Sequence, residues 1–167
     1  MQQALANQIG NVPLFANENY PISSLRPLLR SQSPVYNIPV TALNDFFSRY
    51  LEYNVKFIKI DTEGAELLVL LGLSNVISWF RPIIMYEESE SSFNAFNYKA
   101  MDIITFFSLH KYSLFRVKER FNITYQERNF KFSNIIAVLN EDLCGIFNKT
   151  DVVTAFCTKI EDINFSE

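Results

Sequence analysis

Five acidic side chains fall at two points of the chain. Asp61, Glu63 and Glu66 sit in the run Phe57-Ile-Lys-Ile-Asp-Thr-Glu-Gly-Ala-Glu66, and Glu87 and Glu88 close the apolar run Pro82-Ile-Ile-Met-Tyr86. Both groups follow short strand-like runs, which puts them at carboxyl ends of strands, the edge of an open α/β sheet where ligands bind. If the two strands are adjacent and parallel, their spacing of ~4.8 Å opens Asp61 and Glu87 onto one crevice. A carboxylate there can accept the proton of a hydroxyl held within ~2.6–3.2 Å. Paired carboxylates also suit Mg²⁺ through oxygen, but no metal is assigned. Capping is the competing explanation: Asp61 or Thr62 can cap the following helix, and Glu63 suits its positive end, for ~0.3–1 kcal/mol each or somewhat more for the cap. That accounts for one or two of these acids.

Residues 1–35 form an irregular N-terminal connection, since Pro13, Pro21, Pro27 and Pro34 interrupt anything longer than a short strand at Val12 to Phe15. An extended run, Val35 to Val40, leads through Thr41 as N-cap into a helix carrying Leu43, Phe46, Phe47, Tyr50 and Leu51 at helical spacing. Lys56 to Ile60 is a strand, followed by a tight turn and a leucine-rich helix with a short second helical turn. Pro82 to Tyr86 is the next strand, and Pro suits its first position. One helix is expected within Phe93 to Leu109, then strands at Tyr112 to Val117 and Asn134 to Leu139, with a short extension around Ile123 to Tyr125 between them. Val152 to Phe156 is read as a packing segment. The expected fold class is α/β, with mainly parallel strands ending in an antiparallel pair and helices on the faces. The chain divides into the connection over 1–35, an α/β half-domain over 36–140 and a C-terminal extension over 141–167.

With 49% hydrophobic residues, 16 Phe and 8 Tyr, the 167-residue chain is too apolar for a disordered tail. Its net charge of −3 gives no reason to bind a phosphate backbone, so nucleic acid is not an expected partner. The start lacks a basic segment followed by an apolar run, and no stretch approaches ~20 apolar residues, which predicts a cytoplasmic chain with no membrane partner. Cys144 and Cys157 match neither a zinc ribbon nor a CxxC pair. The single histidine, His110, has no Ser or Cys in a nucleophile elbow to serve.

In order along the chain, Ile58-Lys-Ile-Asp-Thr-Glu-Gly-Ala-Glu66, Leu70-Leu-Gly72 and Arg81-Pro-Ile-Ile-Met-Tyr-Glu87 resemble the signature of FkbM-type methyltransferases. Ser23-Ser24-Leu25 and Val40-Thr-Ala-Leu-Asn-Asp45 resemble two further family elements, so that the likeness spans about residues 20–140. Asn44, where the family usually has Asp, and Lys111, where it commonly has Gly, depart from it. The resemblance implies a class I methyltransferase fold, Rossmann-like, and transfer of a methyl group from S-adenosylmethionine to a hydroxyl of a small-molecule acceptor. Asp61 is then the catalytic base or orienter, Glu63 and Glu87 join it in the catalytic group, and Glu66 and Glu88 are assigned to substrate binding.

Such a fold holds its cofactor on a glycine-rich turn after the first strand. The four glycines here, Gly10, Gly64, Gly72 and Gly145, are too far apart to form one, so no cofactor-binding residue is assigned. Mapped by resemblance, the chain supplies the fourth to seventh strands of the order 3-2-1-4-5-7-6 and leaves the fourth with a free edge. Three readings stand open at this point: a truncated domain, a complementing N-terminal half or second chain, and a noncatalytic binding or assembly module. On any of them the chain alone is expected to be inactive.

Overall fold

The computed structural model describes residues 4–7, 9–16, 23–27, 34–48, 54–117, 133–142 and 157–159. The expected extension at Ile123 to Tyr125 and the segment Val152 to Phe156 lie outside them. The described residues form two sheets and five helices.

The first sheet corrects the irregular connection expected over residues 1–35. It contains β1 (Ala4–Ala6), β2 (Gly10–Ala16), β3 (Ser23–Ser24) and β4 (Val35–Ala42), in the order β1-β4-β2-β3. Prolines are tolerated because of where they stand. Pro13 and Pro39 lie in the β2–β4 ladder, yet β3 pairs only with Phe15 and Ala16 of β2, and β1 only with Val40 to Ala42 of β4. Among the described residues each proline thus occupies a stretch whose strand has a single neighbour, a position at which Pro is tolerated. Thr41 belongs to β4, and α1 (Leu43–Phe47) begins directly after it.

The second sheet carries the acids. Its order is β5-β6-β8-β7-β9, from β5 (Phe57–Ile60), β6 (Ile83–Glu88), β7 (Tyr112–Val117), β8 (Ser133–Leu139) and β9 (Cys157–Lys159). The first four reproduce the 4-5-7-6 portion of the expected order. Only β5 and β6 run parallel; β6–β8, β7–β8 and β7–β9 are antiparallel. In the first sheet β1–β4 alone is parallel. The expectation of mainly parallel strands is therefore corrected: among the described residues antiparallel pairings prevail. A parallel pair needs a crossover, and α2 (Glu66–Gly72) with α3 (Ser74–Phe80) supplies the one between β5 and β6. Arg81, in the left-handed conformation at φ 50°, ends α3 and turns the chain into β6.

Side chains alternate across a sheet, and the register sorts them. Ile60 pairs with Tyr86 and Ile84 with Ala137, so Ile58, Ile60, Ile84, Tyr86, Ile135, Ala137 and Leu114 share one face. That face joins the buried residues of α2 and α3 (Val69, Leu70, Val76, Ile77) in one core. Phe93 of α4 (Glu90–Ala95) and Ile103, Phe106 and Phe107 of α5 (Ala100–Leu109) complete it. The described helices that join this core gather on a single face, where helices on both faces had been expected. Residues 93–109 form two helices in place of the single one expected, because Asn97 takes a left-handed φ of 60° between them. The Lys99 amide then donates to Asp102 Oδ2 at 2.8 Å and starts α5.

Ile84 is fully buried, whereas Phe57 on the opposite face is 54% exposed. Ile84→Ala is expected to lower unfolding free energy by roughly 2–5 kcal/mol. Phe57→Ala should cost less than ~1 kcal/mol, and urea midpoints of the two variants check the difference.

Candidate active site

The acids are placed by strand parity and by one turn. Asp61 and Glu87 follow the Ile60–Tyr86 pair directly, so both project from the face opposite the helix-packed core. Lys59 shares that face, and its ammonium meets Asp61 Oδ2 at 2.8 Å. Glu63 reaches the same spot from the turn between β5 and α2. One oxygen each of Asp61, Glu63 and Glu87 lies within 4.8 Å of the others, a spacing that a single oxygen-bound cation could bridge. Lys59 is the counter-charge the chain itself provides.

Glu88 and Glu66 go elsewhere. Glu88 is one residue beyond Glu87 and so points to the opposite face, where it forms an ion pair with Arg116. Glu66 is 1% exposed and turns inward. Its Oε1 accepts from the amide of Thr62 at 3.0 Å, the Thr62 hydroxyl at 3.0 Å and the amide of Gly64 at 3.3 Å. The structure thus brings Asp61, Glu63 and Glu87 together and leaves Glu66 and Glu88 outside their cluster. Helix and strand spacing alone did not reveal the competing partners of those two acids.

The turn itself is unusual. Glu63 has φ 52° and Gly64 φ 106°. Glycine accepts a left-handed φ freely, but for a residue with a side chain the region costs ~1–2 kcal/mol. Hydrogen bonds offset that cost. The buried Ser24 hydroxyl donates to Glu63 O at 3.1 Å, and the Tyr98 hydroxyl donates to Gly64 O at 2.8 Å while lying 3.3 Å from Glu66 Oε2. Burial, then the nearby Glu66 charge, pushes the Tyr98 hydroxyl far above its ordinary range, so it remains a donor. Sequence reading noted Ser24 only as part of a family element and missed Tyr98, which lies 34 residues from Gly64 with no local signal.

Crowding shows in the proton affinities. Partial burial raises Glu63 above the ordinary 4.5, and the charges of Asp61 and Glu66 add to it. Burial likewise raises Glu87, with Asp61, Glu63 and Glu66 adding and Lys59 opposing. Lys59 is held above its ordinary value by its hydrogen bond to Asp61 and by that carboxylate's charge. Beside the cluster a groove of about 640 Å³ runs along β5, lined by Leu14, Leu25, Phe47, Ile58, Ile60 and Val69 among others, with Ser23, Lys59, Asp61 and Thr62 as polar residues. Asp61 belongs to both groove and cluster.

The family model for the methyltransferase FkbM domain matches residues 2–114, more than half the chain. The chain belongs to the FkbM methyltransferase domain family. The matched stretch holds all three clustered acids and reaches further toward the N-terminus than the resemblance over residues 20–140 did. No curated protein and no solved structure matches the chain. No helix among the described residues is long and apolar enough to cross a membrane.

For an FkbM domain, the groove has the volume of a small-molecule pocket. Gly10 lies in β2 of the other sheet and Gly72 ends α2, while Gly64 already serves the acid turn. Among the described residues no two glycines share a turn.

The raised affinities carry a stability consequence. A carboxyl whose folded value lies above its unfolded one stabilises the fold below the unfolded value, and that stability is lost as pH rises through the folded value. Folding stability should therefore fall from about pH 4.5 upward in proportion to Glu63 and Glu87. Glu87→Gln is expected to flatten that fall, as read from urea midpoints between acid and neutral pH. A pH dependence identical to wild type would contradict the crowding.

Proposed function

We propose that this chain serves methyl transfer from S-adenosylmethionine to a hydroxyl oxygen of a small-molecule acceptor, in the cytoplasm, as the acidic half of a class I methyltransferase. The observation that carries the reading is the position of Asp61. It stands at the mouth of a largely apolar groove and within 4.8 Å, oxygen to oxygen, of Glu63 and Glu87. Family membership supports methyltransferase chemistry.

In this reading Asp61 holds the acceptor hydroxyl by hydrogen bond and takes its proton, while Lys59 keeps the carboxylate oriented. Glu63 and Glu87 frame the acceptor side, and their raised proton affinity suits them to share that proton. The apolar groove wall offers the acceptor's carbon skeleton a surface to pack on. The cofactor's own cradle comes from a complementing N-terminal half or a second chain. Support for that comes from β5, which among the described residues has one neighbour, β6, in its sheet. An unpaired strand edge beside an apolar groove suits the addition of another strand.

A second reading, a noncatalytic binding or assembly module, is favoured by the dispersed glycines. The two part in one assay: labelled S-adenosylmethionine is supplied with hydroxyl-bearing small molecules to the chain joined to its complementing half. Transfer is expected, and Asp61→Asn should lower its turnover by roughly 10²–10⁴-fold. Undiminished turnover would remove Asp61 from the chemistry, and no transfer by the wild type would favour the module.

A further inference from the structure

We infer that Ser24, Glu66 and Tyr98 are positioning residues, a clamp from β3, α2 and the α4–α5 connection that holds the 62–64 turn so that the Glu63 carboxylate meets those of Asp61 and Glu87. The inference rests on the reading of that acid trio as the functional site.

The turn's main chain is tied at nearly every polar group. The amides of Thr62 and Gly64 donate to Glu66 Oε1, Glu63 O accepts from Ser24, Gly64 O accepts from Tyr98, and Thr62 O accepts from the Ala65 amide at 3.4 Å. None of the three clamping side chains reaches the groove lining or the acid trio. Each is buried: Ser24 at 3%, Glu66 at 1% and Tyr98 at 8% exposure. Burying a carboxylate is costly unless it is hydrogen-bonded, so Glu66 fits a position whose polar groups are spent on the turn. The Tyr98 ring stacks on Phe93, centroids 4.8 Å apart, which fixes the hydroxyl. Ser24 also accepts from the Arg26 amide at 3.3 Å, so its donor is directed at Glu63 O. What the clamp opposes is specific: a non-glycine residue at φ 52° that relaxes to negative φ once its restraints go. Relaxation would rotate the Glu63 side chain out of the trio without touching Asp61 or Glu87.

The test uses backbone amide exchange and carboxylate titration by NMR on the full chain. Tyr98→Phe keeps the ring on Phe93 and removes only the hydroxyl. It is expected to speed exchange of the Thr62 and Gly64 amides roughly tenfold, the worth of about one net hydrogen bond, while core amides such as Ile135 and Phe107 keep their rates. In the same variant the Glu63 midpoint should move down toward 4.5 as its carboxylate leaves its partly buried place and the neighbouring Asp61 charge. Adding Glu63→Gly should restore most of the lost protection, because glycine adopts the left-handed φ unaided, a rescue that mere loss of packing would not show. Unchanged turn amides in Tyr98→Phe, equal acceleration of core amides, an unmoved Glu63 midpoint or failure of the glycine rescue would each overturn the inference. No arm uses a methyl donor, so the absence of methyl transfer would count against the function proposed above and leave this result standing.

Discussion

The parallel register of β5 and β6, with Ile60 opposite Tyr86, is the constraint on which the site depends. It puts Asp61 and Glu87 side by side beyond the last pair and on the face away from the core. A slip of one residue would reverse the faces of every side chain in one strand. Glu88 would then stand beside Asp61, and Tyr86 would leave the core, where it stacks on Phe107 with centroids 5.7 Å apart. The register is secured by burial, since Ile60, Ile84 and Tyr86 are 3%, 0% and 1% exposed. The same packing that stabilises the sheet thereby aims the acids.

The acid crevice works against stability. Three carboxylates at close range repel, and Glu63 also occupies a backbone region that its side chain disfavours. Lys59 offsets part of the repulsion from its exposed position beside Asp61. Sites that store strain and like charge persist only where the surroundings hold them. Here the surroundings are a buried Glu66, a buried tyrosine hydroxyl and a serine from the other sheet, so the two sheets are coupled at the turn that carries Glu63.

Much of this was legible in sequence because the central motif is local. Strand, turn and helix fall within Phe57 to Gly72, and Asp61, Glu63 and Glu87 come together as two adjacent strands with acidic tips require. Strand alternation was available in the sequence to separate Glu88 from Glu87. Helical spacing does not reveal whether the Glu66 carboxylate points to solvent or to its own turn's amides. The N-terminal sheet was hidden by its prolines, which are harmless only given knowledge of which ladder positions have one neighbour. Tyr98 could not be found, since its partner Gly64 is contiguous only in three dimensions.

The claim that one crevice holds Asp61 and Glu87 is tested most directly by following the Glu87 side-chain carboxyl by carbon-detected NMR through a pH titration of wild type and Asp61→Asn. The account predicts a Glu87 midpoint above the ordinary 4.5 in wild type that moves down when the Asp61 charge is removed. A Glu87 midpoint that is ordinary in wild type, or indifferent to Asp61→Asn, would contradict it.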